Sequence, residues 1–176
     1  MTVIGITFLS GCVKEETTEY IFPEMITTST GQTTDSVIEE LSPKGNRDDV
    51  VTSIRKGSDD SIIIELTNKQ REVWLSDIEE KIQQAKKDME SIGCEITVNN
   101  ERTEFTYEIL GDADIKKVTT NGALVSSRCM QYQIFNGVSP DEIKLQTTII
   151  NIKTGKVIVS KGLGEEVTIN PEDWDE

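Results

Sequence analysis

The 176-residue chain contains no histidine. That absence removes Ser-His-Asp and Cys-His catalysis, His-ligated zinc and the imidazole pH switch from its chemistry. Basic residues are scarce beside acidic ones, 18 against 32, for a formal charge of −14. Nucleic-acid affinity comes mainly from Lys and Arg on phosphates, so such a partner is disfavoured. There are three cysteines and no CxxC pair among them, which argues against dithiol redox catalysis. No apolar run approaches the roughly 20 residues that a membrane-spanning helix needs. The length allows one compact domain with tails rather than two full domains.

A nucleophile elbow of the GxSxG type and a P-loop are also missing. The Ser-x-x-Lys run Ser53-Ile54-Arg55-Lys56 falls in a predicted strand, where its Ser and Lys point to opposite faces. Gly162-Leu163-Gly164 lacks the third glycine and following helix of a dinucleotide loop. Asp112-Ala113-Asp114 opens like a calcium loop, but Lys116 takes a position that needs Asp or Asn. The C-terminal acids Glu165, Glu166, Glu172, Asp173, Asp175 and Glu176 could attract cations loosely, and a solvated acidic tail describes them more simply. No cofactor, metal or catalytic residue is therefore assigned. A carboxylate pair of the glycosidase kind is conceivable among Glu101, Glu104 and Glu108. Glu104 and Glu108 alternate on one strand, however, and a solvated polar face accounts for them.

What is present begins at the N-terminus. Thr2 to Leu9 is a short apolar run that ends in Leu9-Ser10-Gly11-Cys12. An aliphatic residue, two small residues and a Cys resemble the lipobox of prokaryotic membrane lipoproteins. That resemblance implies a signal peptide over residues 1–11, lipidation of Cys12 as the mature N-terminus, and a place on the extracytoplasmic face of the membrane or envelope. The membrane is then a partner through the anchor, and another envelope protein is a candidate second partner. Signals of this family open with Lys or Arg, and none precedes Cys12, so a start upstream of Met1 is expected. The alternative is a buried first strand with a core cysteine.

Residues 13–48 are rich in Thr, Ser, Glu and Gly and read as a flexible polar tether. Two exceptions stand out: a short helix over Asp35 to Leu41, and a Tyr20-Ile21-Phe22-Pro23 patch able to dock. A domain is expected over 49–169, followed by an acidic tail at 170–176. Residues 50–54 and 61–66 read as strands around Gly57-Ser58-Asp59-Asp60. Thr67-Asn68-Lys69-Gln70 is a capping box, and Gly93 supplies a helix stop. Between them Trp74, Ile78, Ile82, Ala85, Met89 and Ile92 form a single stripe at helical spacing.

Alternation then predicts strands at Cys94 to Val98 and at Glu104 to Ile109. Asn121-Gly122 reads as a hairpin turn between strands at 115–120 and 123–135, with a helix over 123–135 as the other reading. A last hairpin joins Leu145–Ile152 to Lys156–Val159 through Lys153-Thr154-Gly155. The expected class is α+β, an antiparallel β-meander packed against one long amphipathic helix. Cys94 and Cys129, expected on opposite strand faces, read as separate thiols more readily than as a bridge.

Overall fold

The structure, a computed structural model, describes residues 15–28, 31–42, 50–111 and 113–165. The described residues form two sheets and four α-helices, with two short 3-10 turns. Strand β1 is Thr17–Phe22, helix α1 is Glu24–Thr28 and helix α2 is Thr34–Leu41. Strands β2 (Ser53–Lys56) and β3 (Ile62–Thr67) follow. Helix α3 spans Asn68–Glu90, and strands β4 (Cys94–Val98) and β5 (Glu104–Ile109) come next. Helix α4 spans Ile115–Phe135, and β6 (Gln146–Asn151) and β7 (Val157–Gly162) close the fold.

The first sheet has the order β1-β3-β2 and is antiparallel throughout. The second has the order β4-β5-β6-β7, with a parallel pair, β5 and β6, at its centre. The expectation of one long helix against a single meander is therefore corrected to a mixed α+β fold. A parallel pair cannot be joined by a tight hairpin and needs a crossover of a dozen residues or more. Helix α4 supplies that crossover. The two strands expected around Asn121-Gly122 are this one helix, capped by Asp114, whose side chain accepts from the Lys117 amide at 3.2 Å.

Helix α3 forms as the capping box predicts. The Thr67 hydroxyl accepts from the Gln70 amide, and the Gln70 side chain accepts from the Thr67 amide at 2.8 Å. Its stripe buries Ile78, Ile82 and Met89, worth on the order of 10 kcal/mol before entropy costs when the half-buried members are included. Gly93 ends the segment at φ 82°, where the left-handed backbone suits glycine.

Helix α4 touches both sheets. At Gly122 it comes so close to β5 that an added Cβ would lie 3.1 Å from the Tyr107 hydroxyl. At its other end Phe135 receives the rings of Tyr20 and Phe22, 5.2 and 5.1 Å away edge-on, with Trp74 at 5.7 Å. Tyr20 and Phe22 lie in the region expected to be a tether. In the structure they are core residues, and β1 pairs with β3 from Thr17↔Thr67 to Phe22↔Ile62. The helix expected over Asp35 to Leu41 is present as α2. The expected signal and lipidation residues 1–12 and the expected acidic tail at 170–176 lie outside the described residues.

Candidate functional site

Cys12 lies outside the described residues. Only Val13, Lys14, Glu15 and Glu16 separate it from β1. Fully extended, that link reaches about 17 Å.

The other residues considered from the sequence are dispersed. Ser53 donates to Glu65 at 2.8 Å, while Lys56 pairs with Asp60, so the two form no catalytic couple. Asp114 is spent on capping α4 and on Lys117. Among the described residues no group of three potential metal ligands assembles. Glu104 and Glu108 occupy the open face of β5, with Glu101 in the turn before it. Glu108 stands directly opposite Glu95 of β4. Among the described residues, two grooves along α3 are lined by other side chains.

Cys94 and Cys129 are both free and fully buried. Cys129 sits on a helix, so the strand-face comparison made from the sequence does not apply to it. Burial pushes the Cys94 thiol up to about 11 and the Cys129 thiol up to about 12. Thiols held protonated in this way are poor nucleophiles.

A polar constellation around Arg102 was not foreseen from the sequence. Arg102 in the β4–β5 turn adopts a left-handed backbone, φ 60°. Its guanidinium donates to the Asn99 carbonyl at 2.7 Å, pairs with Glu79 of α3, and lies 5.3 Å from the centre of the Tyr132 ring. Burial opposes ionisation of Glu79, but hydrogen bonds from Gln83 and Arg102 outweigh it and hold the carboxyl below its usual range. Beside this group the buried Gln133 amide donates to the carbonyls of Arg102 and Lys144, both at 2.9 Å, and accepts from the Lys144 amide. The Glu79–Arg102 pair joins α3 to the β4–β5 turn, and the Gln133 bonds join α4 to that turn and to Lys144, so the group ties these elements together.

Grooves also open on the surface of the described residues, two of them along α3. One, of about 900 Å³, runs along the start of α3 between Glu15, Val50, Val73, Trp74 and Asp77. The other, of about 370 Å³, lies between α3 and α4 and is lined mainly by polar side chains such as Glu80, Gln84, Asp88 and Arg128. No described helix is long and apolar enough to cross a membrane.

The outer face of the second sheet is ordered by its strand pairing. Strand pairing aligns Thr97, Thr106, Thr148 and Ser160 in one row across all four strands. The next row is Glu95, Glu108, Ile150 and Val157. Among the described residues no helix covers this face, whereas the opposite face carries the buried Ile96, Tyr107, Ile149 and Val159.

No protein-family model matches the chain, and no curated protein or solved structure matches it.

Proposed function

We propose that this chain is a lipid-anchored protein of the extracytoplasmic membrane surface whose small domain binds another envelope protein without catalysis. The observation that carries the reading is Leu9-Ser10-Gly11-Cys12, followed after four residues by the first strand of the folded domain. Two acyl chains on one Cys give stable membrane attachment, since each buried CH₂ is worth about 0.8 kcal/mol. The domain then sits against the bilayer rather than at the end of a long tether. The uncovered second sheet supports a binding role, because an ordered face rich in hydroxyls and short aliphatics is available to a partner.

Changing Cys12→Ser tests the address. The variant is expected in the soluble fraction and the parent in the membrane fraction, with the mass of the parent N-terminus raised by a diacylglyceryl group. An unmodified Met1 at the mature N-terminus would overturn the reading.

A further inference from the structure

The groove at the start of α3 has Glu15, the first described residue, in its wall. Val50, Val73 and Trp74 line it with apolar surface. Val73 is 58% exposed. The indole N–H of the half-buried Trp74 donates to the Val50 carbonyl at 2.9 Å, which holds the ring in place at the groove. The ionisable side chains of the lining are Glu15, Lys69 and Asp77. Asp77 pairs with Lys81 at 3.3 Å, so Glu15 and Lys69 offset each other and the lining carries no net charge to repel lipid phosphates.

The length of chain between Cys12 and this groove decides what covers it. Three backbone steps lead from Cys12 to Glu15, a reach of at most about 10 Å. A diacylglyceryl group on Cys12 places its glycerol at headgroup level. The groove wall then stays within about 10 Å of that level, however the domain tilts. Other surfaces are not bound in this way. Val157 stands in the strand row of Glu95, which lies past the far end of α3. From Val73 to Glu90 the helix alone rises about 25 Å. An exposed aliphatic side chain beside a Trp, next to a lysine, is the composition of a patch that enters the headgroup boundary.

We propose that the bilayer itself covers this groove, so that the start of α3 is the membrane-facing end of the domain. Val73 and Trp74 meet the upper ends of the acyl chains, and Lys69 reaches the phosphates. The proposal rests on the lipid-anchor reading and adds to it the face that the domain turns to the membrane. The row of Glu95 and Val157 is then left to the aqueous side, where a protein partner can reach it.

The test uses the lipidated chain with one reporter thiol, Val73→Cys or Val157→Cys, carrying a bimane label. The two sites are 58% and 54% exposed, so both accept the label without disturbing the core. Cys94 and Cys129 are buried and stay unlabelled, and a lipidated Cys12 has no free thiol. Each chain is reconstituted in phosphatidylcholine vesicles, with or without bromine on the acyl carbons nearest the headgroup, and thermal melts confirm folding. Brominated lipid is expected to quench the label on position 73 about twofold and the label on position 157 by less than about a tenth. Equal quenching at both sites, or none at position 73 in a vesicle-bound chain, would overturn the proposal and leave the anchor standing. A label on position 73 that is shielded from aqueous iodide but untouched by brominated lipid would put a protein on the groove, and that too would overturn it. An unmodified Cys12 in the purified chain would remove the anchor and this proposal together.

Discussion

Gln133 is a single side chain that holds three backbone groups from two distant loops. It is 4% exposed, and its amide satisfies the carbonyls of Arg102 and Lys144 and the Lys144 N–H. Gln133→Leu preserves volume but leaves those part-buried groups without this partner, and an unsatisfied buried group costs about 1–3 kcal/mol. A loss of about 2–4 kcal/mol is expected in urea unfolding, with an unchanged slope. The buried thiols make a second prediction at this scale. Their folded values of about 11 and about 12 exceed the 9.0 of an exposed thiol. Below pH 9 both states keep the proton and the contribution is fully present. As pH rises from 9 towards 12 the unfolded chain ionises first, and stability is lost. A Cys94→Ala, Cys129→Ala chain should lose less stability between pH 9 and 11 than the parent, as read from paired denaturation curves.

At the level of elements, α4 shows where local signals mislead. Asn-Gly is a strong hairpin signal, and Met130, Tyr132 and Ile134 alternate. Both cues are real features of the sequence, but α4 is enclosed by α3 and both sheets. It buries Val118, Gly122, Val125, Cys129, Met130, Ile134 and Phe135 on several sides, so it shows no single stripe. Helix α3 has one buried side and explicit caps, which made it legible. The hairpins β4–β5 and β6–β7 were also legible, whereas the parallel β5–β6 pair was not, because alternation does not record strand direction. Of the candidate site, the exposed carboxylates of β5 could be placed from alternation. The Arg102 and Gln133 group could not, since its partners come from turns far apart in sequence.

Gly122 is retained in α4 by contact rather than by turn chemistry. Ala there would gain about 1 kcal/mol of helix propensity but would press on the buried Tyr107 hydroxyl at 3.1 Å. Gly122→Ala is expected to lower stability by about 1–2 kcal/mol, and adding Tyr107→Phe to recover most of it, a coupling visible in a double-mutant cycle.

For the whole molecule, the placement of β1 changes how the charge is understood. Residues 1–48 carry 8 acids against 3 bases, and residues 165–176 carry 6 acids and no base, so the chain reads as a near-neutral core with acidic ends. The structure draws Glu19 into an ion pair with Arg55 at 2.9 Å and puts Tyr20, Phe22 and Ile26 in the core. Part of the acidic N-terminal region is therefore folded surface. Composition hid this because β1 pairs with β3, whose partner residues lie 40 to 50 positions later, and no local periodicity reports such a partner. The two descriptions separate on truncation. A chain starting at residue 49 would lose three large buried side chains, each worth about 1.5–3 kcal/mol, and would uncover Phe135 and the inner face of β3. Against a total stability of about 5–15 kcal/mol, that loss is enough to abolish cooperative folding. The 49–176 fragment should bind a hydrophobic dye and lack near-ultraviolet dichroism, while a 15–176 fragment keeps a sharp urea transition. A 49–176 fragment with the parent's midpoint would return residues 13–48 to the role of a tether.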